Sequence, residues 1–190
     1  MNSPESEVYQ KSKMLYGLYQ AKQHIAKESN CYLVEGYTDV IQMHQAGIQN
    51  VVSSSGTALT PDQVRLIRRL TNTITLLFDG DAAGIRAAIR GVDVILEAGM
   101  HVSICTFPAG EDPDSFVRKN KPTEVKEFLD KSTVDFVQFK AKLLSEESDN
   151  EPIRKAETIG EIVSTIALIP DAIRREIYIQ DCASTMNISE

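Results

Sequence analysis

The sequence predicts an α/β domain with a mainly parallel four-stranded sheet, followed by a small all-helical subdomain. Three observations carry this expectation. Short apolar runs at residues 31–35, 50–53, 73–78 and 101–105 alternate with stretches of helical period. Strands that alternate with helices at this spacing pair in parallel through right-handed crossovers. The runs ITLLF (74–78) and VSICTF (102–107) are almost continuously apolar, as strands covered on both faces must be. From about Thr123 onward only helical spacing remains, first in Val125 and Leu129, then Val134, Val137 and Leu144, then Ile159, Ile162, Ile166 and Ile169.

Each element has its own local reason. Leu15, Leu18, Ala21 and Ile25 recur at helical spacing in the opening stretch, with lysines on other faces. The run CYLVE forms a buried strand that ends on an acid. A helix follows from about Asp39 to Ala46 and stops at Gly47. Asn50 to Ser53 is a second strand, running into the polar loop SSSGTALT. Thr60, Pro61 and Gln63 then supply an N-cap, a first-turn proline and the reciprocal capping residue of a helix. That helix turns Val64, Ile67 and Leu70 inward and Arg65, Arg68 and Arg69 mostly elsewhere. A third strand ends at Asp79, a long helix spans 82–98 before Gly99, and a fourth strand begins at His101. SEESDNEP at 145–152 reads as a solvated connection, Pro170 ends one tail helix, and Asp171 caps the last. The chain divides into a lead-in helix packing on the core (1–30), the α/β domain (31–120) and a helical bundle (121–190).

Composition bounds the function classes. With 42% hydrophobic and 25% charged residues the chain is of globular type. No apolar run approaches the roughly 20 residues of a membrane helix, so no membrane association is expected. The start, MNSPESEVYQ, has neither the basic flank nor the apolar stretch of a signal peptide. Cys31, Cys105 and Cys182 are odd in number and far apart, which suits reduced thiols in the cytoplasm. His24, His44 and His101 form no ligand spacing. A net charge of −7 with a pI near 5.1 argues against a free-standing nucleic-acid binder. It leaves room for an enzyme whose acids gather around cations.

The acids are placed for that purpose. Glu35 ends the first strand in EGYTDV, which also holds Asp39; Asp79 and Asp81 end the third in DGDAAG; Asp112 and Asp114 follow the fourth in EDPD. In an open α/β sheet, ligands bind beyond the carboxyl ends of the strands. Close-set carboxylates raise one another's pKa unless a cation stands among them. Magnesium takes carboxylate oxygens together with water and substrate phosphates. Asp79 and Asp81 project to one side if strand geometry persists through Gly80, and small residues up to Gly84 let phosphates approach. Structural roles compete with this reading: Asp81 as the N-cap of the 82–98 helix, and Asp112-Pro113-Asp114 as a turn with a cap. Arg65, Arg68, Arg69, Arg86 and Arg90 read as solvated helix faces. Tyr16, Tyr19, Tyr32 and Tyr37 read as core packing rather than base-stacking groups.

Taken together, EGYTDV at 35–40, DGDAAG at 79–84 and EDPD at 111–114 resemble the Toprim domain, a Rossmann-like unit of bacterial primases, topoisomerases, nucleases and recombination mediators. The loop SSSGTALT, the stretch KSKMLYGLYQAK (11–22) and FPAGEDPDSFVRKN (107–120) narrow the resemblance to bacterial replicative primases. It implies a DNA-directed RNA polymerase of the primase type, a nucleotidyltransferase that makes RNA primers from NTPs on a single-stranded DNA template. Glu35, Asp79 and Asp81 are then the catalytic, metal-holding acids. Asp39, Asp112 and Asp114 are further acids of the site, and Lys11 contacts nucleotide or template. The implied ion is Mg²⁺, with Mn²⁺ able to substitute, while zinc is expected only in a module absent from this chain. The chain is expected to be a fragment of the catalytic core, poorly active alone, with the replicative helicase bound through a region after residue 190. A Toprim-family metal-dependent nuclease is the alternative, and an interaction domain without activity of its own is a third reading.

Overall fold

Strands β1 (Cys31–Val34), β2 (Val51–Ser53), β3 (Thr73–Phe78) and β4 (His101–Thr106) pair in parallel. A two-residue strand, β5 (Val134–Asp135), joins β4 antiparallel, giving the order β2-β1-β3-β4-β5. The computed structural model describes Ser6 and residues 10–54, 56–79, 81–147 and 152–188. The helices are α1 (Leu18–Glu28), α2 (Tyr37–Gln45), α3 (Pro61–Arg68), α4 (Ala82–Glu97), α5 (Pro113–Lys119), α6 (Pro122–Ser132), α7 (Phe136–Glu147), α8 (Pro152–Ala167) and α9 (Ala172–Met186). No helix among the described residues is long and apolar enough to cross a membrane.

Among the described residues the sheet therefore has five strands, one more than the sequence predicts. Val134 shares helical spacing with Val137, which hides its pairing opposite Ile104, and α7 begins directly after Asp135. The connection expected at 145–152 is also shorter, because α7 continues through Glu147; residues 148–151 lie outside the described residues. The lead-in helix starts at Leu18 rather than near Leu15. Tyr16 instead forms an antiparallel bridge with Ser53, its N–H donating to the Ser53 carbonyl at 2.9 Å and its carbonyl accepting at 3.1 Å. Gly17 then turns the chain at φ +82°, where a Cβ would stand 2.9 Å from Val40 Cγ1. Both the left-handed conformation and the close contact call for glycine.

Alternation along the strands sorts the core into two layers. Ile74, Leu76 and Phe78 point to one face, against Ile25 of α1, Ile67 of α3 and Ile95 of α4. The tail helices join this same core through Phe136, Ile162, Ile166 and Cys182. Leu77 points to the other face with Val34 and Cys105, against Val40 and Met43 of α2 and Val125 and Leu129 of α6. Each such buried aliphatic or aromatic side chain contributes about 1.5–3 kcal/mol. All three cysteines are buried and unlinked, and burial raises the thiol pKa of each.

Polar contacts fasten the tail to the sheet. Lys140 of α7 is only 5% exposed; its Nζ donates to Thr165 Oγ1 on α8, and Thr165 donates to Asp93 of α4 at 3.3 Å. Tyr178 of α9 donates to Asp135 at 3.1 Å. Arg174 donates to the carbonyls of Gly99 and Met100 at 2.8 and 3.3 Å, and to His101 Nδ1 at 3.1 Å. Asp171 caps α9 by accepting from the Arg174 amide.

Candidate metal centre

Because β1, β3 and β4 are adjacent and parallel, their carboxyl ends form one edge of the molecule. Leu33 stands opposite Leu76 and Leu76 opposite Ile104, so the three strands run level. Glu35 follows β1, Asp79 follows β3, and Asp112 and Asp114 lie where the β4 loop enters α5. The acids from these separate segments share one electrostatic field. Burial, then the charges of Asp79, Asp39 and Asp81, raise the pKa of Glu35. Burial, then Asp112 and Asp81, raise that of Asp79. Burial pushes Asp39 up to about 6, with Asp112 and Asp79 adding to the rise and the amides of Gly36 and Asp114 opposing it.

Local hydrogen bonds fix how these carboxylates stand. Asp81 Oδ1 accepts from the Gly84 amide at 2.7 Å, Asp112 Oδ1 from the Ser115 amide at 2.6 Å, and Asp39 Oδ2 from the Gly36 amide at 2.9 Å. Capping and site formation are thus the same feature, since the bond that starts each helix also orients its acid. Asp114 differs: its carboxylate accepts from Arg118 Nε at 3.0 Å, and it reaches Asp39 through its backbone amide. Gly80 lies outside the described residues. Gly84 is small because of the backbone beneath it: a Cβ there would stand 2.5 Å from the carbonyl oxygen of Asp79.

The donor set suits a hard cation in type, being all carboxylate oxygen. Among the described residues no three Asp, Glu, His or Cys side chains close around a single point. A magnesium site needs only one or two carboxylates, with water and substrate phosphates completing the shell. Donors spread along a strand edge fit such an ion.

Beside Glu35 opens a cavity of about 510 Å³, walled by Ser54, Thr57, Leu59, Arg90 and Asp93 over a floor of Leu76 and Phe78. Asp93 was not legible as a site residue in the sequence, and Arg90 was weighed there as a nucleic-acid contact but read as part of a solvated helix face. The available signal is the row of small residues Gly84, Ala87, Ala88 and Gly91, which marks the side of α4 that approaches the sheet. Lys11 sits in a 3₁₀ turn whose carbonyl accepts from Gln63 Nε2 at 3.0 Å. It lines a neighbouring hollow of about 270 Å³ that shares Ser54 with the cavity. The four tyrosines named in the sequence reading depart from expectation: Tyr16, Tyr19 and Tyr37 are 42%, 78% and 40% exposed, and of the four only Tyr32 is half-buried. Each of the three stands at or just before a helix start, where its outward phase is set by the turn and not by apolar spacing.

Residues 32–117 match the family model described as Toprim-like, so fold and acid placement together define an α/β domain of the Toprim class. Residues 137–190 match a second model, described as the DnaB-helicase binding domain of primase. The whole chain is 38% identical over 191 residues to a DNA primase of Halalkalibacterium halodurans, covering 32% of that protein. Its fold superposes on a crystal structure of a DNA primase domain from Pseudomonas aeruginosa with a TM-score of 0.86 and 32% identity, over 100% of this chain and 60% of that one. A DnaG primase catalytic domain bound to ssDNA matches with a TM-score of 0.83 and 31% identity, over 97% of this chain and 60% of that one. The chain belongs to the bacterial DNA primase family. It spans about a third of the length of the curated relatives it matches. These matches do not favour the nuclease alternative. The expectation placed helicase contact after residue 190, whereas the match to the model so described falls on residues 137–190, over α7–α9. Helical spacing shows which side of these helices meets the core, but not what their outer faces are for.

Proposed function

We propose that this chain is the metal-binding part of a primase catalytic core, which joins ribonucleotides into a short RNA primer on single-stranded DNA. The observation that carries this reading is the gathering of acids from β1, β3 and the β4–α5 loop at one edge of the sheet, where the neighbouring carboxylates add to the rise in the pKa of Glu35, Asp39 and Asp79. We assign Mg²⁺, with Mn²⁺ as a substitute, to Glu35, Asp79 and Asp81, with Asp39, Asp112 and Asp114 as surrounding acids. Bound there, the ion supplies charge neutralisation for the triphosphate and acidifies the attacking 3′-hydroxyl. The chain's own part is to hold the acids rigidly: Gly84 and Ser115 amides orient Asp81 and Asp112, while the Gly36 amide holds Asp39. To Lys11, which lines the adjoining hollow, we assign contact with a phosphate of nucleotide or template. Residues 137–190 are the segment we assign to helicase contact.

Isothermal titration with Mn²⁺ tests the assignment. Binding should weaken at least about tenfold in Asp79→Ala and in Asp81→Ala. Unchanged binding in both variants refutes it. Priming by these residues alone should be weak, because phosphate contacts supply much of the affinity for DNA and this chain carries a net charge of −7.

A further inference from the structure

Among the described residues the exposed large apolar side chains fall into two groups, one on α8, α9 and Ile188, and one made of Met14, Tyr16, Tyr19, Tyr37 and Ile41. The second group adjoins the acid edge. Tyr37 follows Glu35 by two residues in the first turn of α2, and Tyr16 is bonded to Ser53, next to the Ser54 that lines the acid cavity. We propose that Tyr16 and Tyr37 form a base-stacking platform for single-stranded DNA at the approach to the acid edge. This inference rests on the primase reading above and adds to it a set of template-positioning residues.

Three observations support it. The first is rigidity: both backbone groups of Tyr16 are paired with Ser53, and Gly17 locks against Val40. The ring is therefore presented in advance, edge to face with Tyr37 at 6.0 Å between centroids and 63° between planes. The second is shape. Tyr16 separates the 270 Å³ hollow lined by Lys11, Met14 and Tyr19 from another of about 310 Å³ lined by Val40, Ile41 and His44. Because the first hollow shares Ser54 with the acid cavity, the three depressions follow one another from Glu35 across Tyr16. The third is chemistry. Lys11 and Lys13 precede the aromatic group, and Lys22 stands 4.5 Å over the Tyr19 ring. Cations that track a phosphate backbone, interleaved with rings that stack bases, are how single strands are held without regard to sequence. A peptide-binding surface would not require lysines in that alternation, nor continuity with a row of carboxylates.

The test is titration of a short single-stranded oligonucleotide carrying 2-aminopurine with the 190-residue chain, at low salt with Mn²⁺ present. The chain has six tyrosines and no tryptophan, so tyrosine emission gives a second readout of stacking. Tyr16→Ala should weaken strand binding about tenfold, as loss of one base–aromatic stack does. Tyr37→Ala should act in the same direction, and Tyr16→Phe should restore both affinity and 2-aminopurine quenching. Mn²⁺ affinity and the thermal midpoint should stay at wild-type values in all three. Wild-type strand binding in both alanine variants overturns the platform, as does a Tyr16→Phe defect equal to Tyr16→Ala, or a wild-type chain that binds no strand. Failure of the metal reading shows separately, as absent Mn²⁺ binding in the wild type.

Discussion

Replacing Gly84 with alanine puts a methyl carbon 2.5 Å from the Asp79 carbonyl oxygen. Ordinary contact needs roughly 1 Å more, and the obstruction is backbone on both sides, so no side chain can turn away to relieve it. Either α4 lifts or the Asp79 peptide retreats. Overpacking of this kind costs about 1–3 kcal/mol, while alanine in a helix returns up to about 1 kcal/mol relative to glycine. The net loss is about 0–3 kcal/mol, a drop of up to about 10 °C in the thermal midpoint for a chain of this size. The larger consequence is for Asp79, whose carboxylate is carried with its backbone. If Asp79 holds the metal as proposed, loss of a supporting contact behind it costs about 10- to 100-fold in affinity. Mn²⁺ titration of Gly84→Ala should show that loss while circular dichroism still reports a cooperative fold. Gly91 is the internal control: it lies seven residues along the same helix, and its Cβ would meet side-chain methyls alone, Leu76 Cδ1 at 3.3 Å and Leu76 Cδ2 and Leu59 Cδ2 at 3.9 and 4.0 Å. Gly91→Ala should bind Mn²⁺ as wild type does and melt no lower. Wild-type affinity in Gly84→Ala, or an equal loss in Gly91→Ala, would refute the claim that Gly84 acts by seating Asp79.

Two further outcomes follow from the polar contacts that hold the tail. Burial, and after it the Arg174 guanidinium, keep the His101 pKa below its ordinary value of 6.5. Its contribution is therefore complete above about pH 6.5 and declines as pH falls toward the folded-state value, because the unfolded chain takes up the proton first. The wild-type midpoint should drop more between pH 7.5 and 5.5 than that of His101→Asn, and parallel pH profiles would refute this. Thr165→Val removes the hydroxyl between Lys140 and Asp93 and should cost about 1–3 kcal/mol in urea denaturation, because it strands a buried ammonium. Adding Lys140→Met should recover much of that loss, and a purely additive double variant would show that the three groups do not act together.

What the sequence reveals here is what local rules decide. Thr60 and Gln63 form the reciprocal cap their spacing announces, with bonds of 3.2 and 3.1 Å. The acid edge was legible for the same reason, since the end of an apolar run marks the end of a buried strand. Other features depend on partners far along the chain. Gln63 also donates to the carbonyls of Lys11 and Met14, about fifty residues away, a role no cap motif contains. The Val134–Asp135 strand exists only because β4 offers it an edge. The exposure of Tyr16, Tyr19 and Tyr37 follows from where Gly17 and Gly36 let the helices begin. The cavity wall formed by Arg90 and Asp93 depends on how closely α4 lies against β3.

The bridge between Tyr16 and Ser53 has a consequence beyond the placement of one ring. A sheet in the order β2-β1-β3-β4-β5 ends on β2 and β5, and open edge strands invite pairing with another molecule. At one end Tyr16 occupies the outer side of Ser53, in a strand only three residues long. At the other, β5 offers two residues before the chain coils away into α7. Among the described residues neither margin presents a row of amides and carbonyls long enough to template a further strand. The segment ahead of α1 thus acts as a selvage, keeping a parallel sheet of very apolar strands from growing sideways into its neighbours.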